Sequence, residues 1–452
     1  MSFHMKETTS ESLSLTNLQH PEVRANPYPL YAQLRAQDPI HWDETLGFWV
    51  LTRYADNASV YNDPRFSRAQ GLMRGYERLP EADQKVAEPV YCSFSRTMFY
   101  SDPPYHTRLR GLVNKAFTPR TVEQMRPNIQ RIVNDLLDGV QANGRMDAIH
   151  DLAYPLPILV ITEMLGLPAQ DRQRFKEWSD DLFAILGTVR RHSPEMLERA
   201  SRSLEKMTDY VTTLSRARRQ EPMNDLLSAL VAVVEEGERL PRQRRPPTHP
   251  EGAFGSTDGM TYHQHSQRPS GGDDAAGLSQ EELVANINIL LSAGHETTSN
   301  LIGNGLLALL QNPEQMQKLR NQPQLVPPAI EEMMRYDNPV QIAYRSAAED
   351  VELGGKFIRK GQLVNMVLGA ANRDPERYSE PDRFDITRDE GRHLGLGLGI
   401  HFCLGAPLLR LETEIVFTTI LRRFPELQLA TEHWEWQEQP IFRGVKSLPV
   451  SF

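Results

Sequence analysis

Apolar positions along this chain follow helical spacing over most of its length and alternate in only a few short stretches. A short helix is predicted over 28–36. The stretches His41-Trp42 and Phe48-Trp49-Val50-Leu51 then predict a small hairpin. Residues 65–100 mix Arg, Gly, Pro and aromatics, and predict a long irregular loop of the kind that serves as a lid or binding loop. Amphipathic helices are predicted across 122–238, with 149–167 strongly apolar and helical spacing at 204–214 and 226–234. Ser279 and Glu282 form a capping box that opens a very long helix, and Asn312-Pro313 stops it. Apolar and small residues fill 283–310 around much of the circumference, so this helix is expected to be buried and to cross the whole domain. A further helix at 328–336 and strand-like segments near 342–345, 351–353 and 363–368 follow. An irregular segment from Ala371-Asn372-Arg373-Asp374-Pro375 completes the pattern. The fold class this predicts is mainly α with small β-sheets.

Residues 241–277 interrupt the periodicity. Pro241-Arg242-Gln243-Arg244-Arg245-Pro246-Pro247 leads into Gly, Ser, His, Gln and Pro, with little to bury, which predicts a mobile surface insert. His249, His263 and His265 lack the Cys or paired carboxylates of a metal site. The expected organisation is a flexible segment at 1–25 and a single domain over 26–452 carrying that insert.

Composition narrows the class. At 452 residues the chain can bury a large core, and a formal charge of −9 gives no support for nucleic-acid binding. Residues 1–26 are polar and Ser/Thr-rich, unlike a signal peptide or membrane anchor. Cys92 and Cys403 alone offer no disulfide framework. The expectation is a soluble, cytoplasmic protein, monomeric and without a membrane partner.

Candidate chemistry begins at His393-Leu394-Gly395-Leu396-Gly397-Leu398-Gly399-Ile400-His401-Phe402-Cys403-Leu404-Gly405. Glycines at this density let the backbone turn tightly and approach a ligand. Ala406-Pro407-Leu408-Leu409 then starts a helix, so Cys403 stands at a helix N-terminus, which favours the metal-binding thiolate. A buried free cysteine is the plainer account of that residue alone. In the middle of the long helix lies Ala293-Gly294-His295-Glu296-Thr297-Thr298, odd for a buried helix. Either it is a local polar face, or Gly294 leaves room for a ligand while Glu296 and Thr297 handle protons. Thr can also bond to a carbonyl one turn back. His106 and Arg110, four apart after Asp102 as cap and Pro103 at the first helical position, share one face that a solvated basic surface would equally explain.

Together these motifs resemble the cytochrome P450 superfamily. Gly399, Cys403 and Gly405 match its haem loop, His401 and Phe402 stand where bacterial members often carry them, and Leu396 departs from the usual Phe. The distal motif matches at Gly294, Glu296 and Thr297. Asp102-Pro103-Pro104 with His106 and Arg110 matches members in which those two side chains bind haem propionates. Arg345 matches the position that grips a second haem carboxylate, although an exposed strand arginine reads the same locally. Glu332 and Arg335 match the ExxR pair, weak by itself, with Arg383 of Pro381-Asp382-Arg383-Phe384 as the third member of a buried network supporting the loop. The resemblance spans about 26–452 outside the insert, with substrate-gating helices across roughly 171–220 and a substrate cap over 65–100.

The resemblance implies haem b (iron protoporphyrin IX) held between the long distal helix and the proximal Cys403 loop. It implies a monooxygenase inserting one atom of O2 into an organic substrate, usually at a C–H bond. The pocket is expected at Ile289, Leu290, Ala293, Val340, Gln341 and Ile342, with the tail near Ile441-Phe442, for a largely apolar small molecule. With no dinucleotide fingerprint and no cysteine cluster, the two electrons are expected from a separate ferredoxin and NAD(P)H-dependent reductase. Arg108, Arg410, Arg422 and Arg423 are candidates for a basic docking face. A peroxide-driven peroxygenase would not need the Glu296-Thr297 relay, a haem sensor would carry an output module, and a Cys403-His401 hydrolase would explain none of the other motifs.

Overall fold

The computed structural model describes residues 13–186, 193–239 and 278–452. The insert at 241–277, its three histidines and residues 1–12 lie outside the described residues; the rest of the segment expected to be flexible at 1–25 instead forms two short helices, Leu15–Gln19 and Pro21–Ala25, anchored by the buried Leu15 and Leu18.

Ser279 accepts the backbone N–H of Glu282 while Glu282 reaches back to the Ser279 N–H, so the capping box is complete. The helix it opens, Gln280–Gln311, has 32 residues and runs about 48 Å. Most of its side chains are buried, because other helices cover it on several sides: Pro155–Met164, Pro194–Gln220, Arg172–Leu186, Val326–Tyr336 and Ala406–Arg423 all pack against it. One large apolar core runs through this bundle, and two smaller clusters lie beneath the sheet regions.

The largest sheet has five strands. Ile40–Asp43 and Phe48–Leu51 form the expected hairpin, with Trp42 opposite Trp49. Phe48–Leu51 pairs in parallel with Leu363–Val367, which pairs antiparallel with Ile342–Ala347, and Phe66–Ser67 closes the far edge. This sheet brings Arg345 and Tyr344 of its fourth strand against the cavity described below.

Residues 65–100 are not an irregular loop. Two helices, Arg68–Glu77 and Glu81–Ser95, occupy most of that stretch. In the second, Ala87, Val90, Tyr91 and Phe94 are buried at helical spacing, and Pro89 is accommodated inside it. The Gly and Pro residues were the misleading signal there, because burial of one apolar face outweighs their intrinsic cost.

Asp102 does not cap the helix that follows it, although its sequence context predicts that it would. The following helix is Tyr105–Ala116, entered through Pro104 without a side-chain cap. The Asp102 carboxylate instead accepts the backbone N–H of Arg68 at 2.9 Å, that of Ala69 at 3.3 Å and the Ser67 hydroxyl. It therefore caps the start of a different helix, Arg68–Glu77, from across the fold.

Candidate functional site

Cys403 and the middle of the long helix line one cavity. It contains about 1760 Å³ not filled by protein atoms, its opening to solvent included. Backbone conformation explains the loop glycines. Gly397 and Gly399 have φ of +70° and +65°, which a side chain resists, and a Cβ on Gly395 would stand 2.7 Å from Asn338 Oδ1. The Cys403 N–H donates to the Leu396 carbonyl at 2.9 Å, which folds the loop back on itself. Leu396 is buried and lines the cavity. Burial pushes the Cys403 thiol up, while the backbone N–H groups of Gly405 and Ala406 and the nearby Arg110 favour the thiolate.

Across the cavity stand Ala293, Gly294, Thr297 and Thr298. A Cβ built on Gly294 would meet nothing within 4 Å, so the helix surface is open there. Thr297 and Thr298 donate their hydroxyls to the carbonyls of Ala293 and Gly294 at 3.1 and 3.2 Å. Glu296 points elsewhere. Its Oε1 accepts Gln437 Nε2 at 2.8 Å and Asn300 Nδ2 at 3.4 Å. Burial raises its carboxyl above the ordinary range, and those two donors oppose the rise. Gln437 was not legible as a site residue, since no local motif marks it. Beside Glu296, His295 is buried and held neutral, its pKa lowered to about 4 by burial and by Lys176.

The cationic end of the cavity is built from three elements. Arg110 and Arg345 line it, together with His401. His106 lies behind, its ring 4.3 Å from that of His401. Both ring nitrogens of His106 are buried without a hydrogen-bond partner. Arg110 Nη2 donates to the Phe402 carbonyl at 3.0 Å, so Phe402 contributes its backbone. Arg345 donates to the Tyr344 carbonyl at 2.9 Å. Burial first, then neighbouring Arg68, lowers its pKa to about 10. Among the described residues no carboxylate lies within ion-pair distance of Arg345. A buried cation at Arg345, a half-buried one at Arg110 and an unsatisfied imidazole in one place suit a ligand bearing carboxylates. A thiol on one wall and open helix surface on the other suit a flat iron macrocycle between them. These residues therefore fit haem.

Of the expected pocket residues, Ile289, Leu290, Ala293, Val340 and Ile342 line the cavity, as do Ile441 and Phe442. Gln341 does not. Extended backbone alternates side chains, so Gln341 turns away and donates Nε2 to the Asn338 carbonyl at 2.7 Å.

The support network also differs from expectation. Arg335 and Glu332 form a buried bidentate pair, at 2.7 and 2.8 Å, and Arg335 further donates to the carbonyls of Asn372, Pro381 and Arg383. The Arg383 side chain, however, is exposed and pairs with Glu380. The third member is Arg388, 3.3 Å from Glu332, its half-buried guanidinium shared with Glu390. In the turn closed by the Arg383 N–H on the Glu380 carbonyl at 2.9 Å, the Arg383 carbonyl accepts from Arg335 while its side chain is exposed. Arg410 holds Glu331 through two hydrogen bonds, Arg423 pairs with Asp138 and Arg108 with Glu282. Three of the four arginines expected on a docking face are thus engaged within the chain, and Arg422 is exposed.

A family model described as Cytochrome P450 matches residues 81–443. Cytochrome P450 CYP107DY1 of Priestia megaterium is 37% identical over 465 residues, covering 99% of this chain and 100% of that protein. The cytochrome P450 monooxygenase PikC of Streptomyces venezuelae is 39% identical over 437 residues, covering 95% and 92%. The crystal structure of P450BioI with an acyl carrier protein bearing hexadec-9Z-enoic acid superposes with a TM-score of 0.81 at 35% identity, covering 96% of this chain and 100% of that one.

Proposed function

This chain belongs to the cytochrome P450 family and is a haem b monooxygenase inserting one atom of O2 into small organic substrates, and we propose how its own residues divide that work. Cys403 is the thiolate ligand. Arg110, Arg345, His106 and His401 hold the haem carboxylates, and Gly294, Phe402 and Gly405 shape the approach. When bound, haem with a thiolate ligand supplies O2 activation, electron donation by the sulfur favouring O–O cleavage.

The chain supplies protons and position. Thr297 presents its hydroxyl on the cavity wall opposite Cys403, and Glu296 beside it passes protons inward from the Gln437 side. A carboxyl whose pKa burial raises holds a proton more readily than an ordinary carboxylate, which suits a residue that relays one. Ile289, Leu290, Ala293, Val340 and Ile342 exclude water and bind a largely apolar molecule. The hexadec-9Z-enoic acid of the P450BioI complex is a molecule of that kind and supports the same reading here.

Glu332, Arg335 and Arg388 act as a positioning network for the segment that leads into the cysteine loop. The electrons come from a separate ferredoxin and its NAD(P)H-dependent reductase. No described helix is long and apolar enough to cross a membrane. Monomeric, cytoplasmic operation belongs to the same proposal, and size-exclusion and fractionation test it.

The observation that carries the reading is the facing of Cys403 and Gly294–Thr297 across a cavity with unpaired cations at one end. The test is the spectrum of reduced protein with carbon monoxide. The wild type should give the thiolate-type band, and Cys403→Ser should lose it together with monooxygenase turnover. A variant that keeps that band removes Cys403 as the ligand.

A further inference from the structure

Arg68 stands at the cationic end of the cavity yet belongs to none of the motifs above. It opens the helix Arg68–Glu77, whose first N–H groups Asp102 holds. Its side chain is buried and lines the cavity. The guanidinium carbon lies 4.5 Å from the ring centre of Phe99, 4.7 Å from that of Tyr100 and 4.5 Å from that of Tyr344. Its Nη1 donates to the Tyr344 carbonyl at 3.0 Å. A guanidinium carries five N–H donors. No described carboxylate lies within ion-pair distance of this one.

Aromatic faces offset part of the cost of burying a cation. They also fix the planar fork in one orientation, which is how a bidentate anion receptor is prepared. A second positive charge, Arg345, lines the same end of the cavity, close enough for Arg68 to help lower the Arg345 pKa. Two like charges at one end of an otherwise apolar cavity are relieved by an anion bound between or beside them. Carboxylate is the anion whose two oxygens match the fork.

We propose that Arg68 is a carboxylate-binding residue of the cavity, additional to Arg110 and Arg345. The proposal rests on the P450 reading of this cavity. Its carboxylate comes either from haem or from the polar end of an apolar acid bound as substrate.

The experiment compares wild-type holoenzyme with Arg68→Gln and Arg68→Lys. Dodecanoic acid and 1-dodecanol, equal in chain length, are titrated by the spectral shift each causes. Haem transfer to apomyoglobin is timed in parallel. If Arg68 holds a substrate carboxylate, Arg68→Gln weakens dodecanoic acid about 10-fold, leaves 1-dodecanol and haem transfer within about 2-fold, and Arg68→Lys recovers part of the loss. If it holds haem, Arg68→Gln speeds haem transfer about 10-fold and shifts both probes alike. Either result supports the assignment and names the source. Unchanged haem transfer overturns it when acid and alcohol weaken together, when neither changes, or when dodecanoic acid causes no shift in the wild type. Loss of the thiolate-type carbon monoxide band in the wild type would instead remove the P450 reading beneath it.

Discussion

Gln437 Nε2 donates to Glu296 Oε1 at 2.8 Å across 141 positions of sequence, and Asn300 closes the group from one turn along the helix. The C-terminal segment thereby holds the carboxylate that stands beside Thr297. Burial disfavours the charge on Glu296 and this hydrogen bond favours it.

Gln437→Leu should therefore raise the Glu296 pKa further. A hydrogen bond to a charged group is worth roughly 1.5–3 kcal/mol, so the acidic limb of the kcat profile should move up by about one pH unit or more. The measurement is kcat against pH with saturating redox partners. An acidic limb that does not move would detach Gln437 from proton delivery.

Thr297→Ala keeps much of the side-chain shape and removes the hydroxyl on the cavity wall. Haem content and substrate binding should survive. Coupling should fall: NAD(P)H and O2 are still consumed, but more leaves as hydrogen peroxide and less as product. The ratio of product to reductant consumed, with peroxide assayed alongside, decides it. An unchanged ratio takes Thr297 out of the proton path.

Glu332→Ala leaves Arg335 buried without a carboxylate, while Arg388 keeps Glu390. The expected cost is about 3–5 kcal/mol, enough to give mostly haem-free or misfolded protein. Arg383→Ala should cost little, because its exposed side chain pairs only at the surface. Melting temperature and haem content of the two variants compare them directly. Equal losses would restore Arg383 to the network.

His295 and His106 are held neutral, each with a pKa lowered to about 4 by burial first, then by a neighbouring cation, Lys176 for His295 and Arg110 for His106. Below the ordinary histidine value near 6.5 the unfolded chain takes up protons that the folded chain refuses, so stability is lost as pH falls from about 6.5 toward 4. Glu296 and Asp180, whose carboxyls are raised, work in the opposite direction. His295→Phe should therefore lose less melting temperature than wild type between pH 7 and pH 5. Parallel curves would mean that His295 does not titrate in this window.

What the sequence determined by itself was local. The capping box at Ser279 and Glu282, the stop at Asn312, the hairpin at 40–51 and the glycine loop entering a helix at Cys403 each depend on residues within a few positions. Their backbone geometry follows from steric and hydrogen-bonding rules that act over one or two turns. Tertiary structure decided the pairings. Asp102 caps another helix, Arg388 takes the place expected of Arg383, Gln341 turns away from the cavity, and residues 65–100 become helical against a core. It alone also revealed Gln437 beside Glu296 and the aromatic box around Arg68. The physical reason is common to all of these. A buried polar or charged group must find a partner, and which partner lies within reach is set by how the helices and the sheet pack, since spacing along the chain carries no record of it.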